Sequence, residues 1–267
     1  MTLNLAIHGA AGRMGKRLVA LGSADSDLNI VSAVEHPEHA QLGEDAGILA
    51  GISPIGIPLS SEWAENTQAA IDFSAPSACE AALEACVSAK IPLVVATTGL
   101  DDAQVEKVKA AGKVIPVCWA PNMSLAVNLT MKLAEQAASA LRQVSSGVDV
   151  EIIERHHRYK EDSPSGTALK FGELIAEQMQ LNKHVHGREG QCGARGRDEI
   201  GYHAVRTGDD PGQHTIIFGM LGETIELRVG ASNRDCYATG ALEAAKFIAD
   251  KPPAIYNMFD VLGMSDG

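Results

Sequence analysis

The sequence is short of basic residues, of cysteine and of long apolar runs. Its 267 residues carry 22 Lys and Arg against 34 Asp and Glu, a formal net charge of −12. Such a chain is a poor partner for a phosphate backbone, so no nucleic-acid binding is expected. A small anionic ligand needs only a local positive pocket and stays open. The five cysteines, Cys79, Cys86, Cys118, Cys192 and Cys236, are odd in number and include no CxxC pair. That argues against a disulfide framework or zinc ribbon and predicts reduced thiols in a cytoplasmic protein. No run approaches about 18 apolar residues, so no membrane span or membrane partner is expected. The opening MTLNLAIHGAAGRMG has no basic region and reaches glycine quickly, unlike a secretory leader. The 26 Gly and 11 Pro follow no fixed period, which excludes a fibre. The remaining class is a soluble globular chain, long enough for two domains without a disulfide or metal staple.

Short apolar runs alternate with helix-like segments in the first half. Strands are predicted at Leu3–His8, Ile30–Val34, Ala69–Phe73, Leu93–Ala96 and Val114–Trp119. Their near-continuous apolarity suits parallel strands buried on both faces. A helix is predicted over Arg13–Leu21, and capping boxes at Ser77/Glu80 and Asp101/Gln104. The order predicts a Rossmann-type, doubly wound parallel α/β sheet. The second half predicts a long helix over Leu125–Gln143, a strand through VDVEIIERHH, and a helix from Ala168 to about Leu181. Residues 184–199 read as a long loop. Ile200–Arg206, His214–Met220 and Thr224–Val229 read as an open sheet with one exposed face. A closing helix is expected over 239–249, then a tail of little periodicity. The expected division is a dinucleotide-binding domain of residues 1–124 and 236–267, and a smaller α+β domain of residues 125–235 with a mixed or antiparallel sheet.

The sharpest motif is GAAGRMG, with Gly9, Gly12 and Gly15 between a strand and a helix. A tight turn, close approach of backbone to a pyrophosphate and close helix–strand packing all demand glycine there. The spacing is GxxGxxG, so by itself it also fits a turn without a ligand. Strand two ends in AVEH, placing Glu35 twenty residues after Gly15, where an acid accepts ribose hydroxyls. IDFSAPS, ATTG and WAPNMS place small polar residues at the ends of later strands, the usual ligand edge of an open sheet. Singly, each fits a turn or helix cap.

ERHHRYKEDSPSGTA, residues 154–168, gathers His156, His157 and Lys160 ahead of a helix start at Gly166 and Thr167. Two imidazoles and an ammonium suit proton transfer, and the helix start suits a carboxylate. Neighbours on a strand face opposite ways, so His156 and His157 need not share a role. The HH and HxH pairs lack recognisable zinc spacing, and no metal is expected.

These stretches resemble the dihydrodipicolinate reductase family. GAAGRMG, IDFS, ATTG, APNMS, the E-HHRYKEDSPSGTA run and RTGDDPGQH occur in the family's order from residue 9 to about 230. The resemblance implies reduction of 4-hydroxy-tetrahydrodipicolinate with loss of water, in lysine and diaminopimelate synthesis. NADH or NADPH is the implied cofactor, a small cyclic dicarboxylate the substrate, and a homotetramer the assembly. It implies cofactor contacts at Gly9, Ala10, Ala11, Gly12, Arg13 and Met14, and at Glu35 and His36. Further cofactor contacts fall on Ala96, Thr97 and Thr98, and on Ala120, Pro121, Asn122 and Met123. It implies His156 and Lys160 as catalytic proton carriers, and His157, Gly166 and Thr167 as substrate contacts. Ala96 stands where the family often has glycine. His36 stands where arginine often follows the ribose-binding acid, and no Arg or Lys lies between Arg17 and Lys90. An imidazole is not a permanent cation, so NADH is expected to serve at least as well as NADPH. Another Rossmann-type dehydrogenase, or a non-catalytic dinucleotide sensor, would also need the amino half. The sensor would have no use for HH-x-x-K beside an anion-facing turn.

Overall fold

The computed structural model describes residues 2–264. In chain order the elements are β1 (Leu3–His8), α1 (Arg13–Ala24), β2 (Leu28–Val34), α2 (Ala46–Leu49), β3 (Leu59–Ser60) and β4 (Ala69–Asp72). Next come α3 (Pro76–Ala89), β5 (Leu93–Val95), α4 (Asp102–Ala111), β6 (Pro116–Trp119) and α5 (Leu125–Leu141). Then follow β7 (Asp149–His156), α6 (Gly166–Met179), β8 (Lys183–His186), β9 (Glu199–Arg206), β10 (Gln213–Met220) and β11 (Glu223–Gly230). The chain ends through α7 (Asp235–Ile248), β12 (Ala254–Tyr256) and α8 (Met258–Val261). It divides into two compact units, with breaks between Leu125 and Ala126 and between Arg234 and Asp235.

The first unit holds a seven-stranded sheet in the order β12-β6-β5-β4-β1-β2-β3. Every neighbouring pair is parallel. All residues of β4 and β5 are buried, as continuous apolar strands covered on both faces must be. Strand order reverses between β1 and β4, which opens a crevice above their carboxyl ends. The capping box of α4 forms as the sequence predicts, with the Asp101 side chain on the Gln104 N–H and the Gln104 side chain on the Asp101 N–H. The one predicted for Ser77 does not. Pro76 takes the first turn of α3 and Ala75 the cap, so Ser77 lies inside the helix. Proline's fixed φ and missing N–H suit that first turn. The tail adds β12, parallel to β6, a short edge strand whose pattern is too brief to show in sequence.

The second unit is a five-stranded sheet, order β11-β10-β7-β9-β8. It is mixed: β10 runs antiparallel to β11 and β7, while β9 runs parallel to β7 and β8. The predicted loop over 184–199 therefore begins with an edge strand. Its residues KHVH are mostly exposed, and an edge strand with no apolar face has no periodicity to detect. Val150, Ile152, Ile200, Ile216 and Phe218 of the sheet are buried, as are Phe171 and Ile175 of α6.

Candidate active site

In the first unit the glycine turn lies at the sheet's crossover point. Gly9 has φ +76 and its N–H bonds to the Val34 carbonyl at 2.9 Å. A Cβ on Gly15 would overlap the Gly9 carbonyl and lie 2.6 Å from Ala10 Cα, so α1 packs onto the turn only with glycine there. Gly12 caps α1 without a side-chain bond, and the first turn carries no acid. The helix thus offers N–H groups and the positive end of its dipole to an anion. Glu35 directly follows β2, beside this turn: its Oε2 accepts from the Ala11 N–H at 3.1 Å and its Oε1 from the His36 N–H at 3.1 Å. His36 is exposed, and its Nδ1 accepts from the Glu38 N–H at 3.2 Å. These residues fit a dinucleotide, with a close-approach cradle, an uncapped helix end and an acid at the ribose position.

The other strand-end residues divide by direction. Thr97 is buried, and its hydroxyl donates to Asp72 Oδ2 at 2.8 Å while accepting from the Ser74 N–H at 3.0 Å. Asp72, fully buried, also accepts from Ser74 Oγ at 2.6 Å and faces His8 Nδ1 at 2.7 Å. Burial pushes its carboxyl up, but these hydrogen bonds prevail and hold it below the ordinary carboxylate range. Thr97 is therefore a brace between strand ends, while Thr98 is exposed. Ala10, Ala96, Ala120 and Met123 are buried in the core, so their side chains face inward and only main chain is presented. Pro121 is exposed, and Asn122 Oδ1 accepts from the Ser124 N–H at 2.9 Å.

In the second unit, β7 ends at His156, which is 8% exposed. Its Nδ1 lies 2.6 Å from Glu154 Oε2. Two residues apart on one strand, both side chains share the sheet face. Glu154 is 1% exposed and also accepts from both Arg206 amino groups, at 2.8 and 2.9 Å, and from the Ser165 N–H at 3.1 Å. Burial pushes Glu154 up, and the Arg206 and His156 bonds outweigh it, leaving it below its ordinary value. His156 is held below the ordinary histidine range. Burial is the main cause, Glu154 opposes it, and the Lys160 and Arg206 charges reinforce it. Lys160 pairs with the exposed Asp162 at 2.8 Å. The backbone N–H of His157 donates to the Asp210 carbonyl at 2.8 Å, and its ring Nδ1 is buried without a partner.

Ser165 caps α6, its Oγ accepting from the Ala168 N–H at 3.1 Å and meeting His214 Nε2 at 3.1 Å. Gly166 is exposed, with open space where a Cβ would lie, and no acid occupies the first turn of α6. A carboxylate has room there. The second unit thus gathers His156, Lys160, Gly166 and Thr167 from one stretch of chain. It also brings in Glu154, Arg206, Ser165 and His214, which sequence reasoning missed as a group. The two-residue spacing of Glu154 and His156 was the available signal. Among the described residues no group of three or more His, Cys, Asp or Glu could hold a metal ion. No helix there is long and apolar enough to cross a membrane.

Residues 3–123 match the family "Dihydrodipicolinate reductase, N-terminus" and residues 126–262 "Dihydrodipicolinate reductase, C-terminus". The chain is 60% identical to the 4-hydroxy-tetrahydrodipicolinate reductase of Rhodopirellula baltica, covering 99% of this chain and 97% of that one. It is 45% identical to that of Alkalilimnicola ehrlichii, covering 99% of this chain and all of the relative. A solved dipicolinate-bound dihydrodipicolinate reductase from Paenisporosarcina sp. TG-14 superposes with a TM-score of 0.78 at 26% identity, over 97% of this chain and 99% of that one. An NAD complex of GenD2, from gentamicin A biosynthesis, shares the fold alone, with a TM-score of 0.60 at 12% identity over 98% of this chain and 91% of that one. The chain belongs to the dihydrodipicolinate reductase family.

Proposed function

We propose that this chain catalyses the NAD(P)H-dependent reduction of 4-hydroxy-tetrahydrodipicolinate to tetrahydrodipicolinate, with loss of water, in lysine and diaminopimelate biosynthesis. The observation that carries this reading is the second unit's cluster. A buried His156 on Glu154, a cationic Lys160 and an acid-free helix start at Gly166 suit protonation of a small dicarboxylate. Gly9–Met14 and the α1 N-terminus would hold the pyrophosphate, Glu35 the ribose, and the main chain of 96–98 and 120–123 the nicotinamide side. Bound there, the cofactor supplies the hydride that C4 of the ring takes.

The protein's part is binding and proton supply. The start of α6, through Gly166 and Thr167, receives one substrate carboxylate, and His157 contributes a further contact. Hydride addition builds negative charge on the conjugated ring, which a nearby cation stabilises. The Lys160 ammonium is a proton donor with three N–H groups. His156, held neutral, takes up and passes on a proton at Nε2. One hydride and one proton enter the substrate as its hydroxyl leaves as water, so the reaction balances. The test is absorbance-monitored cofactor oxidation, with the unstable substrate made fresh by its upstream synthase. Absence of turnover with both cofactors would defeat the assignment.

We further propose that NADH serves at least as well as NADPH. Glu35 would repel a 2′-phosphate, and exposed His36 offers no permanent charge to offset it. The assembly we propose is a homotetramer in the cytoplasm. Ile153, 38% exposed, and Val205, 42% exposed, share one open face of the second sheet, the kind of surface that a second copy covers. Light scattering at about 28 kDa, the mass of one chain, would contradict the tetramer.

A further inference from the structure

We propose that Glu154 is a positioning residue that fixes His156 in its Nδ1–H tautomer and ties it to the anion-facing start of α6. The inference rests on the proton-carrying role given to His156 above. An ionised carboxylate only accepts hydrogen bonds, so the 2.6 Å contact with Glu154 Oε2 requires the proton on Nδ1. In the neutral ring the lone pair is then at Nε2. Glu154 itself has no capacity left for substrate or water. Oε1 accepts from Ser165 N–H and Arg206, and Oε2 from His156 and Arg206. A carboxylate so enclosed orients its neighbours and does not react.

The second nitrogen is kept uncovered. Gly212, at φ +141, lies against the His156 ring, and a Cβ there would stand 2.8 Å from Nε2. Any other residue would cover the atom that exchanges protons. The same carboxylate holds the Ser165 N–H, and Ser165 caps α6, so the ring and the start of the helix share one anchor. The charged and titratable groups around His156 come from three strands and one loop. They are Glu154 on β7, Arg206 on β9, His214 on β10, and Lys160 beyond β7. Of these, only Glu154 bonds to Nδ1.

The competing account is a buried Glu154–Arg206 ion pair that only stabilises the fold. Glu154→Gln in the full-length enzyme separates the two. Its amide group, turned to His156, would donate to Nδ1 and drive the proton to Nε2. The expected result is a kcat about 100-fold lower, at the low end of the cost of losing a placed proton carrier. KM for the cofactor, and the Kd for dipicolinate used as a binding probe, should stay within about threefold. Nitrogen-15 NMR of the imidazoles should show Nδ1–H for His156 in the wild type and Nε2–H in the variant. Glu154→Asp, which keeps a carboxylate, should recover kcat to within about tenfold of wild type. An Nε2–H tautomer in the wild type overturns the inference, even if Glu154→Gln does not fold. So does a Glu154→Gln enzyme with kcat within threefold of wild type while His156→Ala is inactive. If His156→Ala keeps full turnover, the role of His156 itself fails, and the NMR result still reports on Glu154.

Discussion

The burial of His214 makes the second unit acid-sensitive in a way that can be measured at one residue. His214 is 4% exposed, next to Ser165 Oγ, the His156 ring and Phe171. Burial first, and the nearby His156 second, push its pKa down to about 4, while Glu154 and Asp210 pull weakly the other way. In the unfolded chain a histidine titrates near 6.5. Between these values the unfolded state binds more protons. The contribution to stability is therefore full above about pH 6.5 and is lost as pH falls toward 4. From pH 7 to pH 5 the loss is about 2 kcal/mol, near 30-fold in the opening equilibrium. Hydrogen exchange of β10 amides, corrected for intrinsic rates, reads that opening locally. Glu154 and His156 add slope of the same sign, since both are also held below their ordinary values. His214→Gln, which cannot titrate, isolates the term. Its protection should fall less steeply by about 30-fold over this interval. Equal slopes in the two proteins would refute the reasoning.

Three further outcomes are expected. Lys160→Ala and His156→Ala should each lose about 10²–10⁴-fold in turnover, while calorimetric titration finds cofactor affinity unchanged. Turnover within threefold of wild type in both would remove them from the mechanism. Gly15→Ala should cost about 1–3 kcal/mol in unfolding experiments and weaken cofactor binding, because its Cβ has no space against the Gly9 carbonyl. His36→Arg should shift the kcat/KM ratio toward NADPH by about tenfold, or about 1.4 kcal/mol, in steady-state kinetics with both cofactors.

The first unit was legible because its signals are local. Continuous apolar strands, a glycine turn and an acid at the end of β2 each report a demand made within a few residues. The second unit was less so. Residues 154–168 place His156, Lys160 and the α6 start together because they follow one another along the chain. Arg206 and His214 reach the same cluster through pairing of β9 and β10 with β7, which no local pattern encodes. The stretch after β8 shows the same limit. Its arginines read as loop residues. In the fold Arg188 makes two hydrogen bonds to Glu151, at 2.9 and 3.0 Å, and Arg195 a third at 3.0 Å. With His203 they overcome the effect of burial and draw that carboxyl down to about 2.

Net charge also hides how an acidic protein receives anions. A formal charge of −12 would repel a dinucleotide and a dicarboxylate if it were evenly spread. The acids are not evenly placed on the helices. First turns of α4, α7 and α8 carry Asp102, Asp235 and Asp260, whereas those of the other described helices, α1 and α6 among them, carry none. Acids at a helix start stabilise it by about 0.3–1 kcal/mol each, so leaving α1 and α6 without them forgoes that gain. It also keeps like charge out of both first turns where the pyrophosphate and the substrate carboxylate are proposed to bind. Field strength falls off within a turn, so what an anion meets is set by the short stretch around each helix start. At α1 this is GAAGRMG, which carries one cation and no acid of its own, with the Glu35 carboxylate beside it on the Ala11 N–H. At α6 it is SPSGTA, with the nearest buried acid, Glu154, already neutralised by Arg206. Placing an acid at Thr167 or Met14 should therefore impair ligand binding far more than adding one elsewhere on the already acidic surface.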